Sequence, residues 1–371
     1  MSLSIPETDY SWENFLNYLI NDDHFYYLKV LGYHCKYFTW DDEDSSFMNV
    51  LFNNDVIITN MGEIKKLTFK YIDKIYGNKI LVDFYCYLNG EEKLLTVISC
   101  AKTEDINNTL IKFVRNNPNL YHLPVTSSTF NLLSHYLKEK YIDTECVSFI
   151  GKHTKKMKLK GDNRSNYNRT ILYYGNDGFD SYYELRNLYG IILTDINYSI
   201  PQYGEYEISN SGKVSLQLGS KTISDTKLLL FEIYSFIVKD ILWRRNIINK
   251  AKYELIQYKT NTKTYEIPSI DPLIIKFGNK LSDEQLPLLI ETLNENDFIL
   301  YNDSITTGNS VALNSMVFDE NKKNIFLLHA DNLKIIVAPY TALDTASFLK
   351  LYESITNFDP NAKLVGEYNE S

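Results

Sequence analysis

The longest uninterrupted helical pattern in the chain runs from Asp225 to Ile256, and it constrains the fold more than any other stretch. No Gly or Pro interrupts it, and apolar residues recur on one face at spacings of three, four or seven. At ~1.5 Å per residue the helix would span ~45 Å, more than one small domain needs. The pattern predicts that the N-terminal half is buried in a core and that the C-terminal half reaches another domain or chain. The positions of this seam are Leu230, Tyr234, Ile237, Ile241, Ile248, Ala251 and Leu255.

Arg244 occupies the seam position between Ile241 and Ile248. A buried, unpaired guanidinium is costly, so Arg244 must either meet a carboxylate or lie where the helix has left the core. Polar residues become denser from Arg244 onward, which favours the second alternative. Trp and Arg often dominate protein interfaces, although a Trp on a mostly apolar helix also fits a core position. We therefore predict contact with a protein partner, or with a second copy of the chain, through Trp243, Arg244, Arg245 and Ile248.

The length and the patterning predict an α+β fold with several domains. The chain has 371 residues, which is room for two or three domains. Antiparallel β-hairpin patterns, each closed by a C-terminal amphipathic helix, divide it into predicted modules at residues 1–117, 118–258 and 259–371. The closing helices start near Thr103, Ile223 and Ala342, about 120 residues apart. This spacing fits either a repeated module or a coincidence among ordinary hairpins and helices.

The first module shows a distinct order of elements. Asn89-Gly90 lies between two apolar runs and is a strong hairpin signal. Several antiparallel strands closed by one amphipathic helix resemble the pleckstrin-homology or GRAM class of module. The resemblance covers Asp55–Arg115, rests on the order of the elements without motif residues, and implies a fold and no ligand. The elements are strands at Val56–Asn60, Ile64–Phe69, Lys79–Leu88 and Lys93–Ala101, and a helix at Asp105–Arg115.

A basic stretch at Lys152–Arg169 is the one break in composition, in a chain whose net charge is −9. The acidic total argues against a general polyanion binder. The stretch itself could bind phosphate groups of nucleic acid, an acidic partner or a membrane surface. A solvated loop balanced by the acidic Trp40–Ser46 loop explains the same composition. The candidate phosphate-binding residues are Lys152, Lys155, Lys156, Lys158, Lys160, Arg164 and Arg169.

The sequence contains no recognised motif for catalysis, a metal or a cofactor. Its histidines show no HxxH or HExxH spacing, its cysteines form no CxxC pair, and no phosphate-binding glycine motif occurs. Asp83 followed by Glu91-Glu92-Lys93 has the order of a carboxylate–lysine nuclease site. The last three of these residues fall on the Asn-Gly turn, where solvated charges are expected in any case. We therefore predict no catalytic residues, no metal and no cofactor.

Cysteine usage and hydropathy predict a cytoplasmic protein without a membrane span. The four separated cysteines, Cys35, Cys86, Cys100 and Cys146, have apolar neighbours and are typical of buried thiols in a reducing compartment. The acidic N-terminus lacks the apolar core of a signal peptide. The most apolar run, Leu228–Trp243, contains charged residues that are costly in a bilayer.

These observations predict a non-catalytic binding or scaffolding protein that acts through protein–protein contacts. Two alternatives stay open at this point. The protein could bind nucleic acid through the basic stretch, or it could be an enzyme whose site is assembled from residues that are distant in the sequence.

Overall fold

The structure is a computed structural model, and it describes residues 5–22, 25, 27–35, 51, 56–73, 77–117, 119–153, 169–189, 191–217, 223–250, 253–259, 263–282, 285–306, 312–320, 323–340, 345–359 and 361–365. Within these residues the chain forms seven helices, one antiparallel sheet of eleven strands, one antiparallel sheet of six strands and a separate two-stranded hairpin. The predicted α+β class is confirmed.

The main sheet has the strand order β2-β3-β4-β5-β1-β11-β10-β9-β7-β8, and the short strand β6 also pairs with β1. Alternating apolar and polar residues give most of these strands one buried face, as expected for antiparallel sheets. The strands are β1 (Tyr27–Cys35), β2 (Ile57–Met61), β3 (Ile64–Ile72), β4 (Lys79–Asn89), β5 (Leu94–Ser99), β6 (Leu120–His122), β7 (Glu145–His153), β8 (Arg169–Tyr174), β9 (Ile192–Ile200), β10 (Gly204–Ser209) and β11 (Val214–Gln217).

The main sheet runs across the boundary predicted between residues 117 and 118. In its centre Lys29 of β1 is directly opposite Ser99 of β5 on one side and Ser215 of β11 on the other. Strands β2–β5 form as predicted, but they are one end of this larger sheet, and the structure gives no support to a pleckstrin-homology-like module. The three-module division and the repeat stay predictions.

Helices cover both faces of the main sheet. The helix α2 covers the face of β1–β5 where Ile106, Leu110 and Phe113 join a buried cluster. The opposite face packs in a larger core that contains side chains of the remaining helices. The helices are α1 (Trp12–Asn21), α2 (Thr103–Ile106, a π-helical turn at Asn107–Ile111, and Lys112–Asn116), α3 (Ser127–Lys140), α4 (Gly178–Tyr189), α5 (Ile223–Ile248), α6 (Gln285–Glu295) and α7 (Thr345–Phe358).

The C-terminal third of the chain contains the smaller sheet, with the order β15-β16-β17-β18-β14-β19. Helices α6 and α7 bury their apolar faces in the same core as one face of this sheet. The strands are β14 (Leu273–Lys276), β15 (Phe298–Thr306), β16 (Ala312–Asp319), β17 (Asn324–Ala330), β18 (Lys334–Pro339) and β19 (Lys363–Leu364), and the separate hairpin consists of β12 (Tyr253–Lys259) and β13 (Thr264–Ile270).

The buried thiols that the sequence predicts are present. Cys35, Cys86 and Cys146 are buried and Cys100 is half-buried, and all four are free. Burial raises the pKa of both Cys100 and Cys146 to about 12, so these groups are protonated thiols near neutral pH.

The long helix is real but ends earlier than predicted. Leu230, Ile237 and Ile241 of its N-terminal half are buried, as the seam predicts. Helix α5 ends at Ile248. After it, the N–H of Lys250 bonds to the carbonyl of Ile247 in a tighter turn. The predicted continuation to Ile256 is therefore wrong: residues from Tyr253 onward form β12, and Ala251 lies outside the described residues.

Arg244 is buried, with an exposed fraction of 2%, so the prediction that it lies beyond the core is wrong. Its guanidinium forms an ion pair with Asp240, one helical turn earlier, at 3.1 Å. It also donates to the hydroxyl groups of Thr126, Ser128 and Thr129 at the N-terminus of α3. The ring of Tyr352 in α7 lies 5.3 Å from the guanidinium carbon, within the range of a cation–π contact. Arg244 thus joins α3, α5 and α7.

Replacing Arg244 with Ala should destabilise the protein by ~3–5 kcal/mol, because it leaves the buried Asp240 carboxylate without its cation. The measurement is the free energy of unfolding in denaturant. Arg115→Ala, at an exposed position in the last turn of α2, is the matched control and should change stability by no more than about 0.5 kcal/mol. An equally small effect at Arg244 would contradict the role described for it.

A second polar contact joins the C-terminal third to the main sheet. Nε2 of His122, the last residue of β6, lies 3.7 Å from Oε2 of Glu353 in α7. Partial burial opposes protonation of the imidazole, but the Glu353 carboxylate outweighs it and raises the pKa of His122. The contribution of this pair to stability is therefore fully present below the ordinary pKa of ~6.5 and is lost as the pH rises through the raised value. The His122 side chain is 50% exposed, so the contribution is small.

An NMR titration of His122 tests this pair directly. In the wild type the imidazole should titrate above the ordinary value, and Glu353→Gln should lower the midpoint because it removes the negative charge. A midpoint for His122 that does not change in Glu353→Gln would contradict the assignment.

Candidate functional site

The structure describes two of the seven predicted phosphate-binding residues. Lys152 is exposed near the end of β7, and Arg169 is half-buried at the start of β8. His153 of β7 is directly opposite Arg169 of β8, so the two ends of the basic stretch lie side by side. The other five candidates, Lys155, Lys156, Lys158, Lys160 and Arg164, lie outside the described residues, as does the acidic Trp40–Ser46 loop. The phosphate-binding site stays a prediction.

The predicted partner-binding residues on α5 do not form one exposed surface. Arg244 and Ile248 have exposed fractions of 2% and 1% and belong to the core, which corrects the prediction for these two. Trp243 and Arg245 are half-buried, and Arg245 donates to the carbonyl oxygen of Glu92. For Trp243 and Arg245 the partner contact stays a prediction.

The residues that have the order of a nuclease site make ordinary structural contacts. Asp83 accepts a hydrogen bond from the Thr68 hydroxyl at 2.6 Å and lies 3.6 Å from the ammonium group of Lys66. Glu91, Glu92 and Lys93 form the turn between β4 and β5. In the part of the chain that the structure describes, no group of three or more His, Cys, Asp or Glu side chains could hold a metal ion.

A different surface is the strongest candidate: the outer face of the smaller sheet. Side chains on this face lie in rows that cross the strands, because directly paired residues of neighbouring strands point the same way. One row is Tyr301, Met316, Leu327 and Ala338, on β15, β16, β17 and β18. Beside it lies the row Ile299, Phe318 and Ile325. Both rows consist entirely of apolar or aromatic residues.

A third row on the outer face mixes polar and apolar residues. It consists of Asn314, His329, Ile336 and Ile274, on β16, β17, β18 and β14. His329 Nδ1 lies 2.7 Å from Asn314 Oδ1, so the two polar side chains bond to each other. At the other end of the face the ammonium group of Lys323 lies 5.5 Å above the ring of Phe318. The polar groups are therefore at the margins, and the centre is apolar.

None of the residues in these three rows is buried. Tyr301 and Leu327 have exposed fractions of 48% and 37%, and the others are half-buried, except for the exposed Asn314. On the inner face, by contrast, Val317, Phe326 and Val337 are completely buried against the helices. The small sheet is therefore apolar on both faces, while the described part of the chain covers only one.

The main sheet offers an internal comparison, because part of one of its faces is also open. There the direct cross-strand row is Glu207, Asn197, Ser148 and Tyr174. Three of these four side chains are polar or charged and none is buried, as expected for an antiparallel sheet that faces water. The open face of the small sheet has the opposite composition. Contiguous apolar patches of this kind mark interaction surfaces.

The sequence contains a signal for this surface that the helix and hairpin patterns do not include. Strands β15, β17 and β18 contain unbroken apolar runs, Phe298–Tyr301, Ile325–Leu328 and Ile335–Ala338. A strand with one solvated face alternates apolar and polar residues, whereas a continuous apolar run is typical of a strand covered on both faces.

Comparison with known proteins finds similarity without a described activity. Residues 128–211 match the AF_0896_M family middle domain; this segment contains β7 to β10 and α4. A protein of Archaeoglobus fulgidus, described as an uncharacterized protein, is 24% identical in an alignment over 321 residues that covers 80% of this chain and 86% of that protein. Neither description names a ligand, a reaction or a partner.

No helix in the described part of the chain is both long and apolar enough to cross a membrane.

Adjacent leucines on β17 test the assignment of the two faces. Leu328 is 2% exposed on the inner face, and Leu327 is 37% exposed on the outer face. Leu328→Ala should lower the free energy of unfolding by ~2–5 kcal/mol, because it leaves a cavity in the core. Leu327→Ala should lower it by less than about 1 kcal/mol when measured on dilute protein. Equal losses from the two substitutions would mean that the outer face is covered.

Proposed function

We propose that this chain is a non-catalytic binding or scaffolding protein that acts through the outer face of its smaller sheet, and that a second copy of the chain covers this face. The observation that supports the proposal is the pair of apolar rows, Tyr301 to Ala338 and Ile299 to Ile325, which no described residue buries. The hydrophobic effect favours removing such a face from water.

The size of the face suits a weak dimer. Strands lie ~4.8 Å apart and residues on one face recur every ~6.8 Å, so five strands and three rows cover roughly 450–500 Å². Two copies packed face to face would bury roughly 1,000 Å², the lower limit for a specific interface. Two sheets packed at ~10 Å would form a sandwich core between the subunits. We therefore expect association in the micromolar range rather than an obligate dimer.

Leu327→Asp should abolish this association. Leu327 lies in the central row, so dimerisation would place a carboxylate from each subunit in an apolar interface without a cation. Sedimentation analysis over a wide concentration range should show a monomer–dimer equilibrium for the wild type and only monomer for the variant. Circular dichroism and the unfolding curve should stay close to those of the wild type, because the substituted side chain is partly exposed.

Leu81→Asp is the control for a general effect of a surface charge. Leu81 is 60% exposed and lies on β4 of the main sheet, so this variant should dimerise as the wild type does. A wild type that stays monomeric at high concentration would overturn the assignment of a second copy as the partner. Equal dimerisation by wild type and Leu327→Asp would show that the outer face is not the interface.

Contacts through Trp243 and Arg245, nucleic-acid binding through the basic stretch and the cytoplasmic location stay predictions.

A further inference from the structure

The central row of the outer face changes in side-chain size across the strands. From β15 to β18 it consists of Tyr301, Met316, Leu327 and Ala338. Tyr301 is 48% exposed, so the bulky end of the row stands out into solvent. The other end is lower, because the side chain of Ala338 is a single methyl group. The row is therefore a slope, and a partner that fills it must slope the other way.

The rows also differ in polarity along the strands. The central row and the row that contains Phe318 are apolar, whereas the third row contains the hydrogen-bonded pair Asn314 and His329. A matching partner must place apolar groups over the first two rows and leave the polar groups of the third row among polar groups or water. The face thus has one gradient of size across the strands and one of polarity along them.

Symmetry limits how a second copy can cover this face. Two copies of a chain most often associate about a two-fold axis, which places the same patch on both sides of the interface. For two sheets packed face to face, this axis lies between the sheets and parallel to both. Aligned packing keeps the strand directions of the two sheets within ~30° of each other. The axis therefore runs nearly parallel to the strands or nearly perpendicular to them.

An axis perpendicular to the strands, along the central row, matches neither gradient. Tyr301 would meet the partner's Tyr301 and Ala338 the partner's Ala338, so the sheets would be held apart at β15 and leave a gap at β18. The third row would face the partner's apolar row, and Asn314 and His329 would be buried among apolar groups. Both the gap and the buried polar groups are costly.

An axis parallel to the strands, between β16 and β17, matches both gradients. It reverses the order of the strands, so Tyr301 lies over the partner's Ala338 and Met316 over the partner's Leu327. Large side chains then meet small ones, and the two sheets can pack at an even separation. Each row faces its own copy, so apolar rows cover apolar rows and the polar row stays among polar groups.

We infer that the second copy docks about an axis parallel to the strands, and that the contact of Tyr301 with the partner's Ala338 selects this arrangement. The inference rests on the dimer proposed above and adds which residues of the two copies meet. The contact occurs twice in a symmetric dimer, so each substitution in it acts at two places.

Exchanging the two side chains tests this contact. Ala338→Tyr places a tyrosine ring against the partner's Tyr301, and Tyr301→Ala leaves Ala338 without its large counterpart. Each single variant should weaken dimerisation about tenfold or more in sedimentation equilibrium. The double variant restores a large side chain opposite a small one. It should therefore dimerise at least about tenfold more tightly than the product of the two single effects predicts.

Cross-linking with a short bismaleimide gives a second, independent test. A mixture of the Tyr301→Cys and Ala338→Cys proteins should form a covalent dimer, because the two new thiols face each other. Neither protein should do so alone, because identical positions would be three strands apart, ~14 Å along the sheet. Wild type treated in the same way shows the background from the half-buried Cys100. Circular dichroism checks that every variant is folded.

The outcomes separate the dimer from its arrangement. Additive losses in the double variant, or cross-linking of Tyr301→Cys with itself, would overturn the parallel axis while the dimer stands. Single variants that dimerise as tightly as the wild type would show that the two positions make no contact, which also overturns it. A wild type that stays monomeric would overturn the proposed dimer, and the arrangement with it.

Discussion

The buried charge of Arg244 is the constraint on which the arrangement of the two sheets depends. A guanidinium can be buried only where its donors and its charge are matched, and here the matching groups come from three helices: Asp240 on the same helix, the hydroxyl groups at the start of α3, and the ring of Tyr352 on α7. Apolar packing alone would tolerate small rotations of α7 against α5. A planar guanidinium with directional donors tolerates such rotations less. This contact therefore fixes the orientation of α7, and with it that of the small sheet packed on α7.

That fixed orientation gives the molecule two open sheet faces with opposite properties. The open part of the main sheet is lined by Glu207, Asn197 and Ser148, whose polar side chains suit contact with water. The open face of the small sheet is lined by Met316, Leu327 and their neighbours, and burying it would be favourable. The apolar composition of the second face is the kind that suits a broad, flat partner.

Most elements could be predicted from the sequence, while their assembly could not. The seam of α5 and the hairpin at Asn89-Gly90 are local patterns, and both form as expected. The end of α5 was predicted too late because Leu255 continues the helical spacing. The residues around it, which form β12, also suit a strand. Arg244 was placed outside the core because its partners on α3 lie more than a hundred residues away in the chain. Pairing of β1 with β11 is equally non-local, so the hairpin patterns did not reveal that their strands join one sheet. The apolar outer face was detectable locally, from the unbroken runs in β17 and β18.

The central position of β1 has a consequence for how the chain is made. This strand is synthesised nearly two hundred residues before β11, its neighbour on one side. Until then the first half of β1, which does not pair with β6, is an unpaired edge of the nascent sheet. It contains Leu28 and Val30, which are finally buried in the core shared with α5. Folding of the N-terminal half is thus tied to synthesis of the middle of the chain, and an interrupted or truncated product that ends before Val214 would expose that edge to aggregation.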